Sequence, residues 1–225
     1  MDAVLFMKME LIGERVEIYA QLQKDCPDVS SAIQTAWRLI SRGKQEVYPF
    51  QAAALYLLAG RFNYPGAKIL EIGTYYGFTA AIMAQAAPLA KITTINPLEW
   101  EVDNARKRLS KKFDNIEFVC RHSWDYLAEY DGTPLDFVFI DGDHKRVKLD
   151  FPWWNHLKVG GIKFHHDYSP NGSDRACPPV YRAIKIFEQF LGRDADIMVI
   201  DELLVGMAGF VKQIDDPDWI AQNDD

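Results

Sequence analysis

Hydrophobic residues follow two periodicities that alternate along most of the chain. Short apolar runs rich in β-forming residues are each followed by a longer segment in which apolar residues recur at helical spacing. The runs predicted to be strands are residues 67–72, 91–96, 115–120, 135–141 and 160–167. Strand–helix–strand alternation is typical of a parallel sheet with helices on both faces, so the pattern predicts an α/β fold.

Helical segments precede this alternating region, and a β-hairpin follows it. Residues 1–24, 28–42 and 51–62 are predicted to be helices, and the last two strands are predicted at 195–201 and 203–211. The predicted architecture is a Rossmann-like, seven-stranded, mostly parallel sheet that ends in an antiparallel hairpin, with an N-terminal helical addition.

The chain divides into three predicted parts. These are an N-terminal helical cap or oligomerisation segment, a catalytic-type α/β domain and an acidic tail, over residues 1–47, 48–212 and 213–225. The tail is expected to be frayed or to dock only through Trp219 and Ile220.

Composition and charge argue against a nucleic-acid-binding, secreted or membrane protein. The net charge of −7 argues against a nucleic-acid partner, and the basic stretch at 106–112 is interpreted as the solvated face of a helix. Three widely spaced cysteines without a CxxC pair suit a reducing cytosol, so we expect a cytoplasmic protein. Charged residues interrupt the apolar N-terminus, which predicts neither a signal peptide nor a membrane span.

The stretch EIGTYYGFT, residues 71–79, joins the first strand to the helix after it. Gly73 permits a tight turn there, and Gly77 is expected to let the backbone approach a ligand. The spacing matches neither a dinucleotide-binding G-x-G-x-x-G nor a Walker loop. A nucleoside with a small zwitterionic tail therefore fits this turn better than a pyrophosphate does.

Three stretches together resemble one enzyme family. KILEIGTYYGFTAAIMA resembles the first motif of class I S-adenosylmethionine-dependent methyltransferases, in the form used by small catechol-type O-methyltransferases. LDFVFIDGDHKR and LKVGGIKFHHDY resemble later motifs of the family 24 methyltransferase domain, and they are also similar to metal-dependent sugar O-methyltransferases. The resemblance covers about residues 48 to 212. It implies methyl transfer from S-adenosylmethionine to a hydroxyl of a small molecule.

The resemblance also implies roles for individual residues. Glu71 would help to hold the methionine amine, and Tyr75 and Thr79 would contact its carboxylate at a helix start. The alternative for the two adjacent tyrosines is that they only pack within the turn. The implied cofactor-binding set is Glu71, Gly73, Thr74, Tyr75, Gly77, Thr79, Asn96, His122, Ser123, Trp124 and Asp141.

Two positions depart from the family pattern. The second strand ends in Asn96, where the family places an acid that accepts hydrogen bonds from both ribose hydroxyls. After the third strand, His122 and Ser123 stand where an acid often contacts the adenine amine. Both departures predict weaker cofactor binding or an altered nucleoside. Trp124 could stack on adenine or fill the core.

Acidic and imidazole groups follow the fourth and fifth strands. Asp141 and Asp167 end these strands, which are neighbours in a parallel sheet, so we expect both to face one divalent metal such as Mg²⁺. His144 is the predicted general base, and His166 a possible third ligand. Asp143 has a simpler interpretation as a helix-capping residue. The alternative for the whole cluster is a polar network in a metal-free site.

Three functional hypotheses follow. The first is an O-methyltransferase for a small hydroxylated acceptor such as a sugar, polyketide or catechol-like ring, for which the N-terminal helices predict a homodimer. The second is a nucleoside-binding regulatory protein without transfer activity, and the third a nicotinamide-dependent oxidoreductase, which the missing G-x-G-x-x-G disfavours. The residues proposed to wall the acceptor pocket are Tyr48, Phe50, Trp153, Trp154 and the loop 168–179, with helix packing as the alternative for the tryptophans.

Overall fold

The computed structural model describes residues 27–40, 47–168, 177–199 and 206–220. The predicted helix 1–24 and most of the loop predicted at 168–179 lie outside the described residues.

Seven strands form one sheet at the centre of the molecule. They are β1 (Lys68–Ile72), β2 (Lys91–Asn96), β3 (Ile116–Cys120), β4 (Leu135–Ile140), β5 (Leu157–Tyr168), β6 (Ile197–Val199) and β7 (Gly206–Val211). Their order is β3-β2-β1-β4-β5-β7-β6. Strands β1 to β5 pair in parallel, whereas β7 runs antiparallel to both β5 and β6. The predicted mostly parallel sheet with an antiparallel C-terminal hairpin is therefore confirmed.

Six α-helices and one 3₁₀ helix are described around this sheet. They are α1 (Pro27–Leu39), α2 (Pro49–Gly60), α3 (Phe78–Ala86), α4 (Glu99–Leu109), α5 (Ser123–Ala128), the 3₁₀ helix (Val147–His156) and α6 (Pro178–Leu191). Helices α2 and α6 both have proline at their first positions, where no backbone N–H is needed. Pro152 lies inside the 3₁₀ helix and is incompatible with a regular α-helix there.

Two apolar clusters pack on the sheet. One joins α1, α2 and α3 to residues such as Ile69 and Phe139 of the sheet. The other joins the 3₁₀ helix and α6 to residues such as Val138 and Phe210. Both predicted N-terminal helices that the structure describes thus share a core with the sheet.

Trp153 and Trp154 are fully buried in the second cluster. The prediction that they wall an acceptor pocket is wrong, and the packing alternative is correct. Tyr48 and Phe50 stack with ring centroids 6.0 Å apart.

The fifth strand begins earlier than predicted. The Gly160-Gly161 pair lies inside β5, and its backbone bonds to Lys212 just after β7 rather than forming a separate turn. Gly160 has φ of 82°, and the register with β4 shifts in this part of the strand, as in a β-bulge. Glycine therefore serves a bulge here.

No helix within the described parts of the chain combines the length and apolarity needed to cross a bilayer.

Candidate active site

A cavity of about 280 Å³ opens at the carboxyl ends of the central parallel strands. This is the edge where open α/β sheets bind ligands, next to the point where strand order reverses between β1 and β4. Most of the predicted cofactor residues line it. Those lining it are Gly73, Thr74, Tyr75, Thr79, Asn96, His122, Ser123, Trp124 and Asp141, together with the predicted base His144.

The glycine turn brings β1, β4 and α4 together. Gly73 has φ of 106°, and a Cβ atom there would lie 2.1 Å from the backbone oxygen of Asp141. Gly77 has φ of 82° and precedes the first residue of α3. A Cβ atom added there would lie 2.6 Å from Leu109 Cδ1, so the missing Cβ makes room for the Leu109 side chain. The space at Gly77 therefore serves helix packing, and its expected ligand-side role stays a prediction.

The two tyrosines of the turn pack against each other and also line the cavity. Tyr75 has a left-handed backbone with φ of 43°, and its ring meets the Tyr76 ring edge-on at 4.3 Å. Tyr76 in turn meets Trp100 of α4 at 6.1 Å. Both tyrosines also line the cavity. Thr79, at the second position of α3, lies where helix-end amides favour an anion.

Glu71 lies beneath the turn rather than at the cavity surface. Its side chain is fully buried, and it accepts a hydrogen bond from the Thr94 hydroxyl, which is also bonded to Thr74. Its Oε1 atom has no hydrogen-bond partner. Burial raises the pKa of Glu71 to about 8, against the opposing effect of the threonine hydroxyls. Its contact with the methionine amine stays a prediction.

Two carboxylates of the cavity lie beside Asn96 and Ser123, the positions where the family resemblance implies an acid. The Asn96 amide nitrogen donates to Glu101 Oε2 at 2.6 Å, and the Ser123 hydroxyl donates to Asp150. Burial raises the pKa of Asp150 to about 6. Both acids line the cavity. They were missed from the sequence because each belongs to a different element from the residue it contacts.

Trp124 lies half-buried at the cavity and is not a core residue. Its ring stacks on His122 at 4.4 Å with an interplanar angle of 12°, and the Arg146 guanidinium lies 5.8 Å from its centroid. Of the two interpretations left open, filling the core is wrong. Stacking on adenine stays a prediction.

Two aspartates and two histidines converge beside the cavity. His144 Nε2 lies 2.8 Å from Asp167 Oδ2 and 3.5 Å from Asp141 Oδ1. His166 Nδ1 lies 3.2 Å from Asp141 Oδ1 and 3.1 Å from Asp167 Oδ1. Asp167 has a left-handed backbone with φ of 58°, a conformation that asparagine and aspartate tolerate best. Asp143 is exposed and accepts from the Lys145 backbone amide, as a turn residue would.

The donor set of this cluster fits a divalent cation. His144 Nε2 and His166 Nδ1 are buried and close to carboxylate oxygens, yet neither makes a well-aligned hydrogen bond. Ligand atoms of Asp141, His144 and Asp167 all lie within 4.8 Å of one another. Carboxylate oxygens with an imidazole nitrogen suit Mn²⁺ as well as Mg²⁺.

Gln51, which the sequence analysis did not identify, orients one of these histidines. Its Oε1 atom accepts from the Tyr48 backbone amide at 2.8 Å and lies 3.1 Å from His166 Nε2. Since that oxygen accepts, the Nε2 atom of His166 must donate, and Nδ1 is directed at the carboxylates of Asp141 and Asp167. Such a second partner is a common support of a metal-ligating histidine.

The negative charges of the cluster favour the protonated form of its two histidines, which opposes a role for either as a base. Contacts with Asp141 and Asp167 raise the pKa of His144 to about 10. Burial alone would lower the pKa of His166, but the same two carboxylates raise it to about 10. Burial alone would raise the pKa of Asp167, but the hydrogen bonds and charges of the two imidazoles hold that pKa well below its usual range. His144 can therefore accept a proton near neutral pH only if another cation offsets the carboxylates.

His165 takes no part in this cluster. It is fully buried, and its ring meets Phe151 edge-on at 6.1 Å. The expectation that His165 packs in the core is confirmed.

Known proteins give an independent comparison. Residues 70–168 match the family model described as a methyltransferase domain. This segment is therefore similar to a methyltransferase domain. The matched segment runs from β1 through the end of β5 and contains both the glycine turn and the Asp141–Asp167 cluster.

A probable O-methyltransferase of Mycobacterium tuberculosis is 35% identical over 95 residues, which are 37% of this chain and 40% of that protein. The chain spans between 40% and 56% of the length of the curated relatives it matches.

Solved structures confirm the fold. The O-methyltransferase TomG of Streptomyces achromogenes, solved with S-adenosylmethionine, has a TM-score of 0.67 at 21% identity, covering 89% of this chain and 100% of that one. An O-methyltransferase from Bacillus cereus, solved with S-adenosylhomocysteine, has a TM-score of 0.63 at 20% identity, covering 87% and 97%. The Rossmann-like architecture is therefore established for this chain.

Proposed function

We propose that the protein is an S-adenosylmethionine-dependent O-methyltransferase that acts on a hydroxyl of a small molecule. The observation that carries the proposal is the cavity beside the glycine turn, which ends at the cluster of Asp141, His144 and Asp167. A cofactor bound along this cavity has its nucleoside near Asn96 and Trp124 and its amino-acid end near Thr79. Its transferable methyl group then faces the cluster.

Methyl transfer requires an acceptor oxygen in line with the sulfur–methyl bond and a group that takes the hydroxyl proton. The methyl carbon leaves sulfur and bonds to the acceptor oxygen, and the hydroxyl proton moves to the imidazole of His144. His144 is 38% exposed, so an acceptor can reach it, whereas His166 is buried.

The proposal includes a divalent cation held by Asp141, Asp167 and His166 Nδ1. A cation held there would lower the pKa of an acceptor hydroxyl and would offset the carboxylate charges that otherwise keep His144 protonated. Gln51 positions His166 for this purpose. The regulatory alternative has no comparable support, because nucleoside binding alone leaves this cluster unexplained.

The first test is calorimetric titration of S-adenosylmethionine into EDTA-treated protein, repeated with Mg²⁺. Micromolar affinity in either condition supports the cofactor cavity, and a screen of hydroxylated acceptors should then detect transfer. Absence of binding in both conditions would refute the proposed activity.

The metal proposal is tested by comparing substitutions of two aspartates, Asp141 and Asp143, which are only two residues apart. Asp141→Asn should abolish Mg²⁺ or Mn²⁺ binding and reduce methyl transfer by about 100-fold or more, since it removes the charge of one metal ligand. Asp143→Asn changes an exposed turn residue that lines the cavity but lies outside the cluster, and it should leave metal binding unchanged. Full activity of Asp141→Asn in the presence of EDTA would contradict the metal proposal while leaving methyl transfer intact.

A further inference from the structure

The end of β2 lacks the negative charge with which related methyltransferases are expected to bind the ribose. Asn96 occupies this place, is 9% exposed and lines the cavity. A neutral amide can accept a hydrogen bond from a hydroxyl, but without the strength of a carboxylate. The site as read from β2 alone would therefore bind a ribose weakly.

The missing charge lies one helix turn further along the chain. Glu101 is in the first turns of α4, its side chain is only 8% exposed, and it lines the same cavity as Asn96. The Asn96 Nδ2 atom donates to Glu101 Oε2 at 2.6 Å. This bond fixes the carboxylate against the strand end and directs the amide oxygen of Asn96 away from it.

A role confined to helix stability does not account for this placement. Acidic side chains near a helix N-terminus interact favourably with its dipole while exposed to solvent, as Glu99 is in the same helix. Glu101 instead carries its carboxylate into a largely buried position, which costs desolvation energy. The Asn96 amide offsets part of that cost, and a hydroxylated ligand in the cavity would offset more of it.

We propose that Glu101 is the ribose-binding carboxylate of this protein, held in place by Asn96. The proposal rests on the proposed cofactor. Two vicinal hydroxyls of a ribonucleoside donate to a carboxylate and an adjacent amide oxygen, so the pair selects a ribose over a deoxyribose. The departure at Asn96 then reflects a relocated charge, and it does not predict weak binding or an altered nucleoside.

The test is calorimetric titration of S-adenosylhomocysteine and of its 2′-deoxyribose analogue into the full chain. The natural sequence should bind the ribose form more tightly. Glu101→Gln should weaken that binding by about 10- to 100-fold and change the analogue much less, since a hydrogen bond to a charged group contributes about 1.5–3 kcal/mol. Glu99→Gln, a matched change in the same helix turn, should leave both affinities unchanged.

A charge swap separates relocation from general damage. Asn96→Asp combined with Glu101→Gln returns the carboxylate to the strand end and should recover most of the affinity lost in Glu101→Gln alone. Unchanged binding by Glu101→Gln, or equal losses for both ligands, would overturn the inference while the cofactor assignment stands. If the natural sequence binds neither ligand, the proposed function fails together with the inference.

Discussion

Glu71 illustrates at the residue scale how burial changes the chemistry of a side chain. Its motif position implied a charged group beside the cofactor, yet it lies fully buried behind Thr74 and Thr94, and burial raises its pKa to about 8. At neutral pH the folded protein therefore holds this carboxyl largely protonated. A charged role would require a cation, such as a bound methionine amine, to lower that pKa.

Stability should therefore fall with rising pH because of Glu71. The pKa is about 4.5 when the chain is unfolded and about 8 when folded, so its contribution is complete below pH 4.5 and is lost as the pH rises through 8. The free energy of unfolding is measured with urea from pH 5 to 9 for the natural protein and for Glu71→Gln. We expect the decrease over this range to be a few kcal/mol smaller in Glu71→Gln.

Glu117→Gln is the control for this pH effect. The Lys91 ammonium lowers the pKa of Glu117, so any stability it contributes is lost only at acidic pH. Its pH profile between 5 and 9 should match that of the natural protein. Parallel profiles for Glu71→Gln and the natural protein would show that Glu71 ionises normally.

At the scale of elements, the turn after β1 determines how closely the carboxyl ends of β1 and β4 approach each other. Gly73 touches the backbone of Asp141, the residue that follows β4, and Asp141 N donates to Ile72 O at 2.8 Å. The turn and the candidate metal ligand are thus packed as one unit. A change that separates them should disturb the cavity and the cluster together.

Gly73→Ala should be among the more destabilising single changes in the chain. A left-handed backbone costs a non-glycine residue about 1–2 kcal/mol, and overlap with the Asp141 carbonyl adds about 1–3 kcal/mol. Gly66→Ala shares a positive φ, 85°, but its added Cβ meets nothing within 4 Å, so only the first cost applies. Equal losses of unfolding free energy for the two variants would contradict the steric argument.

At the scale of the whole molecule, the acidic tail closes the second apolar cluster. Trp219 packs against Phe151, Phe187 and Phe190 at centroid distances of 4.8, 5.7 and 4.8 Å. Its backbone N–H donates to the Asn155 side-chain oxygen. Ile220 remains 78% exposed. The expected docking of the tail is therefore confirmed for Trp219 and wrong for Ile220.

Removing this docking residue should destabilise the folded chain. Trp219→Ala should lower the unfolding free energy by about 1–3 kcal/mol, less than for a fully buried tryptophan because Trp219 is only half-buried. Ile220→Ala should change it by less than about 0.5 kcal/mol. Thermal unfolding of both variants provides the comparison, and an unchanged midpoint for Trp219→Ala would show that the tail adds no stability.

The sequence by itself determined the alternation of strands and helices, the glycine turn and the meeting of Asp141 with Asp167. These are encoded locally, because a fully buried strand needs a continuous apolar run and a parallel sheet brings strand ends to one edge. The order of the motifs was likewise sufficient to indicate the Rossmann-like fold.

Only the tertiary structure decided which groups share the cavity across elements. Glu101 reaches Asn96 from a helix, Asp150 reaches Ser123 from the 3₁₀ helix, and Gln51 reaches His166 from α2. No spacing or periodicity relates such pairs, since their contact depends on how helices pack over the sheet. Burial likewise sets the pKa values of Glu71 and Asp150, because the energy of a charge depends on its three-dimensional surroundings.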